Sequence, residues 1–242
     1  MTAPFFDVDP QWREDIEASY LALDPAYREF LEGGGYIPER KRIFNAFKTL
    51  PKSSLRYILF GQDPYPRAES ATGHAFIDGA VESIFSPTGL HKSVNRATSL
   101  RNFVKMALVA DGRLEADDLS QDAIAKMDRA GLIETIDELR ENFEAEGVLL
   151  LNAALVFENR GASARHAKEW RPFVASLLER VGEDTELILF GSIAKTVQKI
   201  PQAAKFRQIC LEHPYNHSFV LNPAAHELFG PMHLLRKREA SV

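Results

Sequence analysis

Residues 55–66 read LRYILFGQDPYP: a short apolar run, then a glycine, then an acid set between a glutamine and two prolines. Three further apolar runs follow, VLLLN at 148–152, ELILFG at 186–191 and FRQICLE at 206–212. Helical patterns separate them, near 98–110, 120–130, 133–145, 166–182, 192–200 and 226–237, with earlier ones over 9–33, broken at Pro25, and over 39–49. Apolar strands alternating with helices predict a parallel sheet covered on both faces. The expected fold is α/β, three-layer α/β/α with a central four-stranded parallel sheet, in one domain over 1–242 whose residues 1–35 form a helical extension packed on it.

Each apolar run ends in a polar or glycine-containing turn, and open α/β sheets bind ligands at that carboxyl edge. The runs deliver Gly61-Gln62-Asp63, Asn152, Gly191-Ser192 and His213-Pro214. An acid, an amide and an imidazole therefore converge on one rim if the strands are parallel neighbours. Pro64 biases Asp63 away from the helical region, and Gly61 permits close approach to the backbone. Simpler readings stand beside these. Asp63 before proline can cap a turn, Asn152 can be the polar end of a buried strand, and His213 a turn histidine satisfied by backbone.

Composition bounds the function. With 242 residues, 45% hydrophobic and 26% charged, the chain suits one soluble domain. One cysteine, Cys210, excludes a disulfide framework and a four-thiolate iron–sulfur cluster, and fits a reducing cytoplasm. The N-terminus has no basic start followed by an apolar core, and no apolar run nears the roughly 18 residues that span a bilayer. A cytoplasmic protein without a membrane partner is expected. The net charge of −5 argues against coating nucleic acid by bulk electrostatics, but basic residues gather at 39–48, 91–105, 160–171 and 236–238. Cys210, His213 and His217 have plausible metal-ligand spacings. Cys210 lies in an apolar run where a buried thiol is usual, and a fourth ligand from His226 or His233 has no partner motif, so no metal is expected.

The segment FGQDPY (60–65) resembles the water-activating motif of the family 1 uracil-DNA glycosylases. RIFNAFK (42–48), GHAF (73–76), TSLRN (98–102), VLLLNAAL (148–155), LILFGSIAK (187–195), the His-Pro pair at 213–214 and AHELFG (225–230) are similar to further segments of that family, in order, across roughly 36–235. The resemblance implies a uracil-DNA glycosylase-like fold and a monofunctional hydrolase of base excision repair, which flips uracil out of DNA and leaves an abasic site. Asp63 would stabilise the cationic sugar and position water, and neutral His213 would hydrogen-bond the departing uracil. Gln62, Tyr65, Phe76 and Asn152 would form the uracil pocket: Phe76 stacks on the base, Tyr65 fills the space of a 5-methyl group, and the Asn152 amide reads the polar edge. Ser99, Ser192 and Lys195 would contact phosphates, although either serine can be only a helix cap and the lysine only solvated. Phe76, one of 16 phenylalanines, can equally be a core residue.

The departures lie where the family grips DNA. Pro66 stands where the family has a histidine, Tyr215 replaces a serine, and the leucine wedge falls on His217, with Phe219 as competing wedge in an enlarged loop. The partner implied is uracil-containing DNA, single- or double-stranded, bound by a monomer with no cofactor. A relative with altered substrate, or a non-catalytic DNA- or uracil-binding homologue, is the alternative.

Overall fold

A computed structural model of the chain describes residues 7–238. The first six residues of the expected N-terminal extension, and the last four of the expected single domain, lie outside them. The strands are β1 (Tyr57–Gly61), β2 (Phe85–Ser86), β3 (Gly89–Leu90), β4 (Val148–Asn152), β5 (Glu186–Phe190) and β6 (Arg207–Leu211). The helices are α1 (Arg13–Leu21), α2 (Pro25–Gly33), α3 (Lys92–Arg96), α4 (Thr98–Ala110), α5 (Gln121–Lys126), α6 (Ile136–Ala145), α7 (Ser163–Glu169), α8 (Arg171–Arg180), α9 (Ile193–Val197) and α10 (Pro223–Phe229). None is long and apolar enough to cross a membrane. The chain divides into two compact units, Met1–Asp78 with Gly147–Cys210, and Gly79–Glu146 with Leu211–Val242.

The first unit is built on the four-stranded sheet, ordered β4-β1-β5-β6. β1 runs parallel to both neighbours, pairing Ile58 with Leu149 and Leu187, and Gly61 with Asn152. Ile58, Leu59 and Phe60, all of β4, and Leu187 to Phe190 are buried, so these strands are apolar on both faces instead of alternating. β6 forms the edge, and there Cys210 is exposed. That corrects the expectation of a buried thiol, because an edge strand presents part of its length to solvent. α1 packs on α8, and Trp12, Phe44, Phe47, Trp170 and Phe173 interlock between them and the sheet, with Trp12–Phe47 and Trp170–Phe173 each 5.2 Å between ring centroids.

Two helix starts show how capping sets the element boundaries. Asp24 accepts from the N–H groups of Ala26 and Tyr27 and precedes Pro25 in the first turn of α2, which is why the 9–33 pattern breaks there. In the second unit Thr135 and Glu138 close a capping box on α6. Phe103, Phe143, Phe219 and Phe229 form its core, Phe103 lying 5.0 Å from Phe229 and 6.3 Å from Phe219.

Three expected helices differ. Residues 39–49 form only the short 3-10 turns Arg40–Arg42 and Asn45–Phe47. The segment is committed to tertiary contacts: a Cβ at Gly73 would lie 1.9 Å from the Arg42 carbonyl, and the Asn45 amide donates to the Thr72 carbonyl. The 166–182 pattern is two helices, α7 and α8, with Pro172 in the first turn of the second, where its missing N–H costs nothing. The 226–237 pattern stops at Phe229. A 3-10 turn and the left-handed His233 (φ 46°) then turn the chain to pair antiparallel with 131–133, and the Asn142 amide donates to the carbonyls of Leu234 and Arg236.

His166 on α7 is fully buried in the first unit, 2.6 Å from the Tyr27 hydroxyl through Nδ1 and 3.4 Å from the Glu158 carboxylate through Nε2. A carboxylate only accepts, so Nε2–H faces Glu158 and Tyr27 donates to Nδ1. Burial, reinforced by Arg165 and opposed by Glu158, lowers the pKa of His166. The folded state therefore holds fewer protons than the unfolded chain just below about pH 6.5, and stability is lost as pH falls through that value. Thermal melts between about pH 7.5 and 5.5 should show a falling midpoint that is flatter in His166→Gln. Equal slopes in both proteins would remove His166 from the acid response.

Candidate active site at the carboxyl ends of β1 and β4

Gly61 and Asn152 are register partners at the ends of β1 and β4, and their relation sets the site. A Cβ at position 61 would meet the Asn152 Oδ1 at 2.2 Å and the Ala75 Cβ at 2.9 Å. Only glycine leaves room for the amide to lie across the strand end. Asn152 is 5% exposed, a buried amide whose Oδ1 lies against the end of β1. Beyond the strands the two turns remain paired, the N–H of Ala153 donating to the Gly61 carbonyl at 2.9 Å and that of Ala154 to the Gln62 carbonyl at 3.0 Å. Gln62 is exposed and Asp63 half-buried in that turn.

The 73–76 segment docks on the same edge. The Ala75 N–H donates to the Leu150 carbonyl at 2.9 Å, and Gly73, at φ 88°, lies against Arg42. Phe76 follows with φ 69°, in the left-handed region that costs an L-residue roughly 1–2 kcal/mol. Its carbonyl accepts from the Tyr65 hydroxyl at 3.3 Å, and its ring lies 6.4 Å from that of Phe190. Phe76 is half-buried, held in a strained conformation that an ordinary core phenylalanine does not need. Burial, and then the Asp78 carboxylate, raise the Tyr65 phenol pKa, so Tyr65 stays neutral. After Pro66, Arg67 binds the Ser70 hydroxyl at 2.9 Å and faces Asp78 at 3.8 Å, fixing the turn that departs from the expected pattern.

Asp63 accepts a hydrogen bond at its Oδ2 from the hydroxyl of Ser163, the first residue of α7, at 2.8 Å. Sequence reading missed Ser163, treating 160–171 as a basic cluster. Nothing local links residues 100 positions apart. Ser192 sits at the N-cap of α9 but makes no side-chain cap bond, and it and Lys195 are exposed.

In the second unit the turn after β6 is a braced loop. The Tyr215 N–H donates to the Nδ1 of His213 at 3.0 Å, which leaves the proton of the neutral ring on Nε2. His213 reaches solvent, yet the packing around its ring disfavours the imidazolium and lowers its pKa. The buried Asn102 amide donates to the carbonyls of Pro214, Tyr215 and Asn216 at 2.8, 3.2 and 3.3 Å. The Glu212 carboxylate accepts from Ser218, Asn222 and Asn216, and the first two bonds hold its pKa below the usual range. Neither Asn102 nor Glu212 stood out in sequence. Ser99 is half-buried in the first turn of α4, two residues past the N-cap position, which Ala97 holds.

The wedge expectation for Phe219 is corrected. Its side chain is 0% exposed and stacks on Phe103, so it belongs to the core of this unit. His217 is exposed, and Tyr215 is 67% exposed. Among the described residues no group of three or more His, Cys, Asp or Glu side chains could hold a metal ion.

No family model matches the chain. Two curated relatives named uracil-DNA glycosylase, from Pseudomonas syringae pv. syringae and Coxiella burnetii, are 26% and 29% identical over 219 and 196 residues, covering 86% and 79% of this chain and 80% and 72% of theirs. The crystal structure of the wild-type UNG of Nitratifractor salsuginis is 51% identical and matches 98% of this chain and 100% of its own with a TM-score of 0.94. Mimivirus uracil-DNA glycosylase, at 18% identity and TM-score 0.52 over 85% of this chain and 68% of its own, shares the fold.

The His213 tautomer is directly measurable. Nitrogen-15 NMR should find Nδ1 as the unprotonated nitrogen and Nε2 as the protonated one at neutral pH, with a titration midpoint below about 6.5. A protonated Nδ1 would mean that the Tyr215 N–H does not set the ring.

Proposed function

The chain belongs to the uracil-DNA glycosylase family, and from that premise we propose that it hydrolyses the N-glycosidic bond of uracil in DNA, leaving an abasic site for base excision repair. The observation that carries the reading is the buried Asn152 amide packed on Gly61 beside the turn that presents Asp63. Uracil would be flipped out of the stack to reach it. The Asn152 carboxamide accepts from uracil N3–H and donates to O4, whereas cytosine presents the opposite pattern and leaves buried groups unpaired. Phe76 stacks on the base, and Tyr65 occupies the space a thymine methyl group would need. Gln62 lines the same turn.

Cleavage breaks the bond between the sugar C1′ and uracil N1, whose electron pair leaves with the base. The Asp63 carboxylate stabilises the cationic sugar and orients the water that adds to it. Neutral His213 donates from Nε2–H to the charge developing on uracil O2, a role for which its lowered pKa suits it. No lysine nucleophile, lyase step or cofactor enters this chemistry. Ser99, Ser192 and Lys195 would neutralise or hydrogen-bond phosphates and so fix register without reading sequence. The protein would act as a monomer in the cytoplasm.

On uracil-containing oligonucleotides, Asp63→Asn should slow excision by several orders of magnitude while DNA affinity stays within about twofold, because an amide cannot offset the cationic sugar. His213→Ala should likewise lower the cleavage rate more than binding. Full activity of Asp63→Asn, or a loss confined to affinity, would overturn the assignment.

Strand preference follows from the loop. With Phe219 in the core, His217 is the residue at the expected wedge position, and a polar imidazole gains less between bases than an aliphatic side chain. Duplex uracil should be released more slowly than single-stranded uracil, and His217→Leu should raise duplex excision with little effect on single strands. An unchanged ratio in His217→Leu, together with a duplex-selective loss in Tyr215→Ala, would transfer the wedge to Tyr215.

A further inference from the structure

We propose that Ser163 is a positioning residue for Asp63, setting the orientation of the carboxylate that the reaction needs; the inference rests on the glycosylase reading of this site. An aspartate carboxylate turns easily about its last torsion, which is broad and roughly two-fold. Chemistry at a cationic sugar requires the reacting oxygen within a few tenths of an ångström of its place. The Ser163 hydroxyl donates to Oδ2 at 2.8 Å, and among the described residues no other side chain hydrogen-bonds Asp63. With Oδ2 engaged, the second oxygen is the one oriented for water and sugar. Ser163 opens α7 without capping it: the N-cap position is Ala162, and the hydroxyl reaches the turn after β1 instead of its own helix.

The donor is held rigidly from behind. One turn along α7, His166 is fully buried, bonded to the Tyr27 hydroxyl and packed with its ring 5.6 Å from that of Phe30. Trp170 ends the helix in the same aromatic cluster, 6.2 Å from Tyr27. α2 thus clamps α7, and α7 fixes the hydroxyl that fixes the acid. The Asp63 turn is otherwise a half-exposed loop whose side-chain orientation its backbone does not determine.

The test uses the full chain and single-turnover release of uracil from a single-stranded oligonucleotide. Ser163→Ala should lower the cleavage rate roughly 10- to 100-fold with substrate affinity unchanged. Ser163→Thr, which keeps the hydroxyl, should stay within about threefold of wild type. The deciding measurement is a double-mutant cycle: in an Asp63→Asn background, Ser163→Ala should cost less than about twofold, because the group it positions is gone. The same fold-loss in both backgrounds would assign Ser163 a general structural role and overturn the proposal. So would a Ser163→Ala enzyme as fast as wild type. If Ser163→Ala fails to fold, Ser163→Gly, which also lacks the hydroxyl, measured in both backgrounds decides: a loss confined to the Asp63 background supports the proposal, and an equal loss in both, or none in either, overturns it. A wild-type chain that releases no uracil would overturn the glycosylase reading, and this inference with it, whereas an active wild type with an indifferent Ser163 overturns this inference alone.

Discussion

The contact between the backbone of Gly61 and the amide of Asn152 is the constraint on which the rest of the site depends. Two parallel strands end side by side, and one gives up its side chain so that the other's can lie across it. A polar group buried in that way must find partners, and its natural partner is a ligand that brings a donor and an acceptor. The paired turns beyond the strands and the segment docked on the Leu150 carbonyl hold the walls of that space. On the proposed reading, specificity for one base edge would be a property of the sheet, not of a mobile loop.

The two chemical groups are held by different physics. Asp63 depends on a hydroxyl delivered by a helix that the aromatic cluster of the first unit locks in place. His213 belongs to a loop whose carbonyls converge on one buried amide, Asn102, and whose outer turn is gathered by one carboxylate, Glu212. Ser163 bonds its acid directly, whereas Asn102 and Glu212 fix the backbone and outer turn of the loop that carries His213, whose ring is held by the Tyr215 N–H.

The sheet was legible because unbroken apolar runs such as Val148 to Leu151 have one stable home, between two layers. Its carboxyl edge was legible for the same reason, and Gly61 could be read as a place of close approach before the approaching group was known. What sequence concealed is long-range. Ser163 and Asn102 act on residues 100 and 112 positions away, and no periodicity records such a bond. The exposure of Cys210 depends on strand order, and the burial of Phe219 on Phe103. The helical pattern over 39–49 failed because the Asn45 amide bonds the Thr72 carbonyl and the backbone of Arg42 packs against Gly73.

Phe76 carries a consequence for which sequences could occupy this scaffold. A left-handed backbone crowds any side chain that branches at Cβ, so valine, isoleucine and threonine are disfavoured there before any ligand is considered. The stacking on a planar base proposed for this ring would reject the remaining small and flexible residues on separate grounds. The two filters overlap only at unbranched, flat side chains, a set of phenylalanine, tyrosine, tryptophan and histidine. Torsion and proposed stacking together would narrow the alphabet at position 76 to aromatic letters, and a designer transplanting this pocket to another sheet would have to carry over the torsion as well as the ring.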